Sequence, residues 1–166
     1  MKLIKNYKCD TRGAVIVEVA ILLPIILLLA IATIEFASAL VAYKRLVNQT
    51  RVAARWLSTQ TPGQGHITAI CLVKYNNTNN SLPCSGSLIL DNLNNATVSI
   101  SDATTDPASQ RAQRTNAPNA VAINLVTVTV SGYRHPLILG GFLKPITGGA
   151  ASVSFSSIRT TMRQVS

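Results

Sequence analysis

The sequence predicts an α+β chain, a long N-terminal transmembrane and stalk helix followed by a small antiparallel β-sheet domain. Three observations carry this expectation. No formally charged residue occurs from Val19 to Ile34, and the apolar character resumes past Glu35 as far as Tyr43. Pro62, Gly63 and Gly65 then interrupt the helical stretch, since both residue types oppose its continuation. Beyond them Val126, Val128 and Val130 alternate with Thr127 and Thr129, the period of a strand with one apolar face.

A bilayer core of about 30 Å takes roughly 20 residues of helix, so residues 14–43 span it with length to spare. A soluble helix places polar residues at every third or fourth position, and almost none stand between Val19 and Ile34. Glu18 and Glu35 bracket the uncharged run. An ionised carboxylate in hydrocarbon is costly, and is normally paired, interfacial or protonated. Glu18 lies within reach of headgroups at one end, where a carboxylate also favours a helix N-terminus through the macrodipole. Glu35 lies at the other end, reaching the outer headgroups or a partner helix in the membrane. Two other readings use the same segment. As a secretory signal peptide, Lys2, Lys5, Lys8 and Arg12 form the positive start, and cleavage at Ala37-Ser38-Ala39 releases a soluble product. As an uncut signal anchor, it holds an extracytoplasmic binding or adhesion domain. The length of the run, with a glutamate at each end, speaks against the signal peptide.

Residues 44–60 continue the helix as an amphipathic stalk. Tyr43, Val47, Ala54 and Leu57 fall on one side at helical spacing, and Lys44, Arg51 and Arg55 lie together on another. The basic face either snorkels to headgroups or is simply solvated. Trp56 is placed to dock the stalk against the C-terminal domain.

Residues 61–166 read as a β-rich extracytoplasmic domain. Candidate strands cover 67–75, 96–101, 122–130 and 151–159, of which 122–130 is the clearest. The asparagine-rich stretch 76–81 is a loop, and 102–119 is a long polar connection with a short helical turn at 107–114. Gly140-Gly141 and Gly148-Gly149 punctuate another loop. An antiparallel sheet of about three to five strands packed on the stalk is the economical arrangement.

Across 166 residues only 13% are Asp, Glu, Lys or Arg, with a formal net charge of +9. The basic residues are scattered, several beside the membrane segment, and few aromatics accompany them. That favours phospholipid headgroups over nucleic acid. His66 and His135 have no ligand pattern of the His-Glu-x-x-His kind, and neither a Gly-x-Ser-x-Gly elbow nor a phosphate loop is present. Asp91, Asp102 and Asp106 stand in polar loop context and read as solvated, without the alternating oxygen ligands of a calcium loop. The expectation is a protein without catalytic residues, metal or cofactor.

Cys71 and Cys84 bracket the asparagine-rich loop. A disulfide closing a loop of this size is worth about 3 kcal/mol and would persist in an oxidising compartment. Two buried free thiols are the alternative. Cys9 lies in the polar leader.

The string Gly13-Ala14-Val15-Ile16-Val17-Glu18-Val19-Ala20, with Pro24 soon after and Glu35-Phe36-Ala37 later, resembles the TadE-like pseudopilins of tight-adherence (Flp-type) pili. Their pattern is Gly-Ala-x-x-Val-Glu-Phe-Ala, a proline, and a later Glu-Phe-Gly; Val19 here replaces the aromatic and Ala37 the second glycine. Asn48, Arg51, Ala53, Ala54 and Arg55 match the family's Asn-x-x-Arg-x-Ala-Ala-Arg. The strand 122–130, the Tyr133 to Pro136 connection and the ending at Met162-Arg163 resemble the family's C-terminal part more loosely.

The resemblance implies a pilin-like fold and a prepilin-type leader, residues 1–13, cut between Gly13 and Ala14 by a prepilin peptidase. The leader would take Cys9, Asp10 and four basic residues with it. Glu18, fifth in the mature chain, would pair with the new amine of Ala14 on its own or a neighbouring chain. The implied partners are other pseudopilin and major pilin subunits, an inner-membrane assembly platform with its ATPase, and membrane lipid. The basic residues on the two sides of the span nearly balance. The cleavage motif and the cysteines therefore decide the orientation: bacterial inner membrane, single-pass, N-terminus cytoplasmic, C-terminal domain periplasmic, with entry into an extracellular pilus open.

Overall fold

A computed structural model describes residues 12–78, 82–110, 123–138, 140–141 and 152–164. The leader residues 1–11 with Cys9, residues 111–114 of the expected helical turn and Gly148-Gly149 lie outside the described residues.

Helix α1 runs unbroken over Arg12–Ser58, joining the apolar segment and the stalk. Pro24 lies inside it. A proline there removes one backbone hydrogen bond, which transmembrane helices tolerate. Up to Ile34 the large apolar side chains are exposed, for example Ile16, Ile21, Ile26 and Leu29. Among the described residues no part of the domain covers them, and this is the one helix long and apolar enough to cross a membrane.

The stalk half of α1 carries the core. Ala42, Leu46, Thr50, Ala53, Ala54 and Leu57 are buried. This stripe is rotated by about one residue from the expected one: Ala54 and Leu57 hold, whereas Tyr43 is 44% exposed. Thr50 can be buried in this stripe because its hydroxyl donates to the Leu46 carbonyl at 2.7 Å and is satisfied within the helix. Lys44, Arg51 and Arg55 are exposed, as expected of the basic face.

The helix end is closed by a distant residue. Gln164, buried near the C-terminus, donates from Nε2 to the carbonyls of Leu57 (3.3 Å) and Gln60 (3.0 Å). The Leu57 carbonyl also accepts from the Gln60 amide at 3.0 Å, so Gln164 ties the last turn of α1 and the two residues beyond it to the end of β5.

Helix α2, His66–Tyr75, stands where a strand was expected. A short apolar run has the same hydrophobicity in either state, and its buried residues decide. Thr68 and Leu72, and Ala69 and Val73, are buried pairs four apart, which is the spacing of one helix face against α1. Gly65 and Asn76 bound the helix, both in the left-handed conformation. At Gly65 a Cβ would fall 2.4 Å from Trp56 Cζ3, so only glycine lets the chain turn this close to the stalk. Trp56 thus docks the stalk, as its position suggested.

Three strands form an antiparallel sheet in the order β1-β2-β5: β1 Thr97–Ser101, β2 Asn124–Ser131 and β5 Ile158–Gln164. Val126, Val128 and Val130 of the central strand are buried toward α1. Thr127, on the opposite face, is buried as well. Its hydroxyl bonds Gln110 Oε1 at 3.1 Å and Thr161 Oγ1 at 2.9 Å. Gln110 ends the short helix α3, Pro107–Gln110, within the turn expected there.

The single strand expected at 151–159 is two. β4, Ser152–Ser154, pairs with β3, Arg134–Pro136, in a separate hairpin, and β5 pairs with β2. Phe155 between them turns inward, its ring 5.7 Å edge-on from Tyr43 and 5.3 Å from Tyr133. Burying that ring against the stalk breaks the strand and sends its halves to different sheets.

Candidate functional site

The first candidate is the foot of α1. Gly13 is the second residue of α1, and among the described residues a Cβ there would meet nothing within 4 Å. Packing therefore does not require a glycine, although glycine costs about 1 kcal/mol relative to alanine inside a helix. Ala14 and Glu18 are exposed on the following turns. The first turn holds no acidic residue. Glu18 lies beyond it, and the dipole effect fades past one turn, so the macrodipole gives Glu18 little reason to be there.

Glu35 lies 17 residues further on, about 26 Å along the helix at 1.5 Å per residue, so the two glutamates are not brought together. It is buried, unlike its apolar neighbours Ile34 and Phe36. Its backbone carbonyl accepts from Ser38 Oγ at 2.8 Å, and Ser38 Oγ lies 3.2 Å from His135 Nε2. With the serine proton on that carbonyl, the imidazole Nε2 is the donor. His135 stacks on Phe155 with ring centroids 6.3 Å apart. Glu35 thus faces its own β3–β4 hairpin, in addition to whatever surrounds the helix. Between helix and hairpin runs an apolar groove of ≈ 480 Å³, lined by Glu35, Phe36, Leu40, Leu137, Val153 and Phe155 among others. The sequence held no signal for this contact, because His135 is a hundred residues distant and stands in no motif.

Cys71 and Cys84 form a disulfide with Cα atoms 5.4 Å apart. It fastens the segment after the asparagine-rich loop to α2, which suits a domain with a thin core.

Asp102 overturns its reading as a solvated loop residue. It is fully buried and joins three segments. Oδ2 accepts from the Gly63 amide (2.6 Å) and His66 Nε2 (2.7 Å), and Oδ1 accepts from the amides of Thr104 (3.0 Å) and Thr105 (2.9 Å). Burial pushes this carboxyl's pKa up, but the Thr105 and Gly63 amides, the His66 imidazole and the Thr104 amide outweigh it and hold it well below the usual range. A legible signal existed: Asp followed two and three residues later by threonines is an Asx-type turn sequence. The carboxylate and imidazole are the kind of pair found in catalytic sites, but here Asp102 is taken up by backbone amides and works as a clasp. Among the described residues no group of three or more His, Cys, Asp or Glu is placed to hold a metal ion.

No curated protein and no solved structure matches the chain. Residues 13–55 match the family model described as TadE-like protein. That stretch begins at Gly13, contains both glutamates and the Asn48 to Arg55 pattern, and lies wholly on α1. Over residues 13–55 the chain is therefore TadE-like, carried on a single apolar helix of membrane-spanning length that leads into a small antiparallel β domain.

Proposed function

We propose that this chain is a minor pilin or pseudopilin of a tight-adherence pilus, held in the bacterial inner membrane by α1 with its β domain in the periplasm. The observation that carries the reading is Gly13 at the open foot of an uncovered apolar helix, five residues before Glu18 and at the first residue of the TadE-like match. A glycine that the fold does not need, at that spacing, suits a peptidase cutting between Gly13 and Ala14.

Cleavage frees the Ala14 amine. When helices pack laterally, that amine neutralises Glu18 on its own or an adjacent chain, removing two charges from a low-dielectric surround. The exposed apolar surface of α1 supplies the packing face. The subunit then acts through assembly with another pseudopilin, the major pilin and the membrane platform with its ATPase, and carries no catalysis of its own.

The test is pilus assembly in the native host with chromosomal Glu18→Ala and Gly13→Leu alleles. The expected result is normal membrane levels of both variants, a longer unprocessed form for Gly13→Leu, and loss of surface pili for each. Normal piliation with both alleles would instead fit an uncleaved anchored binding or adhesion domain.

A further inference from the structure

We propose that the β3–β4 hairpin, with Leu137 and Ile138 directly after β3, is a second membrane contact that rests in the outer leaflet, and that lipid acyl chains fill the groove between the hairpin and α1. The proposal rests on the reading of α1 as a membrane span.

The first argument is depth. Counting about 1.5 Å per residue from Ala14, Ala32 lies roughly 27 Å and Glu35 roughly 32 Å along α1, the far edge of a hydrocarbon layer about 30 Å thick. The three-stranded sheet packs higher, against the buried stripe from Ala42 to Leu57. The hairpin instead reaches down: Leu137 and Val153 share a groove with Ala32, Glu35 and Phe36. It is the part of the domain that meets the helix where the bilayer ends.

The second argument is surface chemistry. Val153, Phe36 and Leu40 line the groove and are exposed, and Ile138, the residue after the groove's Leu137, is 81% exposed. The groove and these exposed residues form an apolar patch that shares Ala32 and Phe36 with the uncovered helix. In water that patch would be unfavourable by about 25 cal/mol for each Å² left wet. At the outer leaflet its area is in contact with acyl chains. Arg134, exposed at the start of the hairpin, adds a cation whose long side chain can meet lipid phosphates.

The experiment uses the full chain in nanodiscs of phosphatidylethanolamine and phosphatidylglycerol, with Cys9→Ser to leave no free native thiol and the Cys71–Cys84 bridge intact. Ile138→Cys carries an environment-sensitive fluorophore, with Leu27→Cys as the hydrocarbon reference and Ser99→Cys, exposed on β1, as the aqueous one. The expected result is a blue-shifted emission at 138, quenched most by lipids spin-labelled near the headgroup. Leu27→Cys should be quenched most by deep labels, and Ser99→Cys by neither. Emission at 138 equal to that at 99, with 27 still quenched, overturns the hairpin contact and leaves the anchor standing. Loss of quenching at both 27 and 138 overturns the anchor and this inference with it. A shift at 138 that appears only with two copies per disc, without lipid quenching, assigns the patch to a second chain and also overturns the proposal.

Discussion

His66 Nε2 donates to Asp102 Oδ2 across 2.7 Å, joining the first residue of α2 to the residue that comes after β1. An ionised carboxylate only accepts, so the imidazole proton sits on Nε2. The same oxygen takes the Gly63 amide from the turn after α1. Replacing Asp102 with Asn keeps the shape but removes the charge and turns one accepting atom into a donor facing donors. Asp102→Asn is expected to destabilise the domain by about 2–4 kcal/mol, read as a lowered melting temperature in detergent. Asp91→Asn, on an exposed aspartate, should leave the melt unchanged.

The same carboxylate gives the domain an acid limb. Its folded pKa lies below the unfolded one, so its contribution is complete above the ordinary aspartate value of about 4 and is lost as pH falls from there toward the depressed folded value. Melting temperature measured down to strongly acidic pH should fall steeply for the native chain. Asp102→Asn should begin lower and fall less over the same range.

The disulfide is expected to contribute about 3 kcal/mol. Cys71→Ser, or reduction of the native chain, should lower the melting temperature, and the two treatments together should do no more than either alone. Thiol alkylation under denaturing, non-reducing conditions should label neither Cys71 nor Cys84.

Gly65→Ala tests how α2 sits on the stalk. The residue has φ +78°, and the added Cβ meets the Trp56 ring. The substitution should cost about 1–3 kcal/mol and shift the emission of the chain's one tryptophan to the red as the ring is pushed toward water.

The parts legible in the sequence were those with long or strict periods. The uncharged run from Val19 to Ile34 and the alternation of Val126, Val128 and Val130 each leave one physical option. The α2 segment did not, because a mostly apolar run of ten residues suits a buried helix as well as a strand, and the choice was made by Gly65 turning beneath Trp56. The division of 151–159 came from Phe155, which packs on Tyr43 and Tyr133, more than a hundred and some twenty residues away respectively. At the site, Gly13, Ala14 and Glu18 are singled out by the resemblance to the TadE-like pattern, whereas Cys71 and Cys84 are singled out by flanking the asparagine-rich loop and form the bridge. The burial of Glu35 beside the β3–β4 hairpin depends on tertiary partners that no local pattern records. At Asp102 the turn with Thr104 and Thr105 is local and legible, but the bonds to Gly63 and His66 are not.

The most direct measurement is the N-terminus of the protein purified from membranes of its native host, by intact mass and terminal sequencing. The expected chain begins at Ala14, and at Met1 when the host's prepilin peptidase is deleted. A chain beginning at Met1 in the intact host, or at Leu40 after cleavage behind Ala39, would overturn the processing and assembly proposed here.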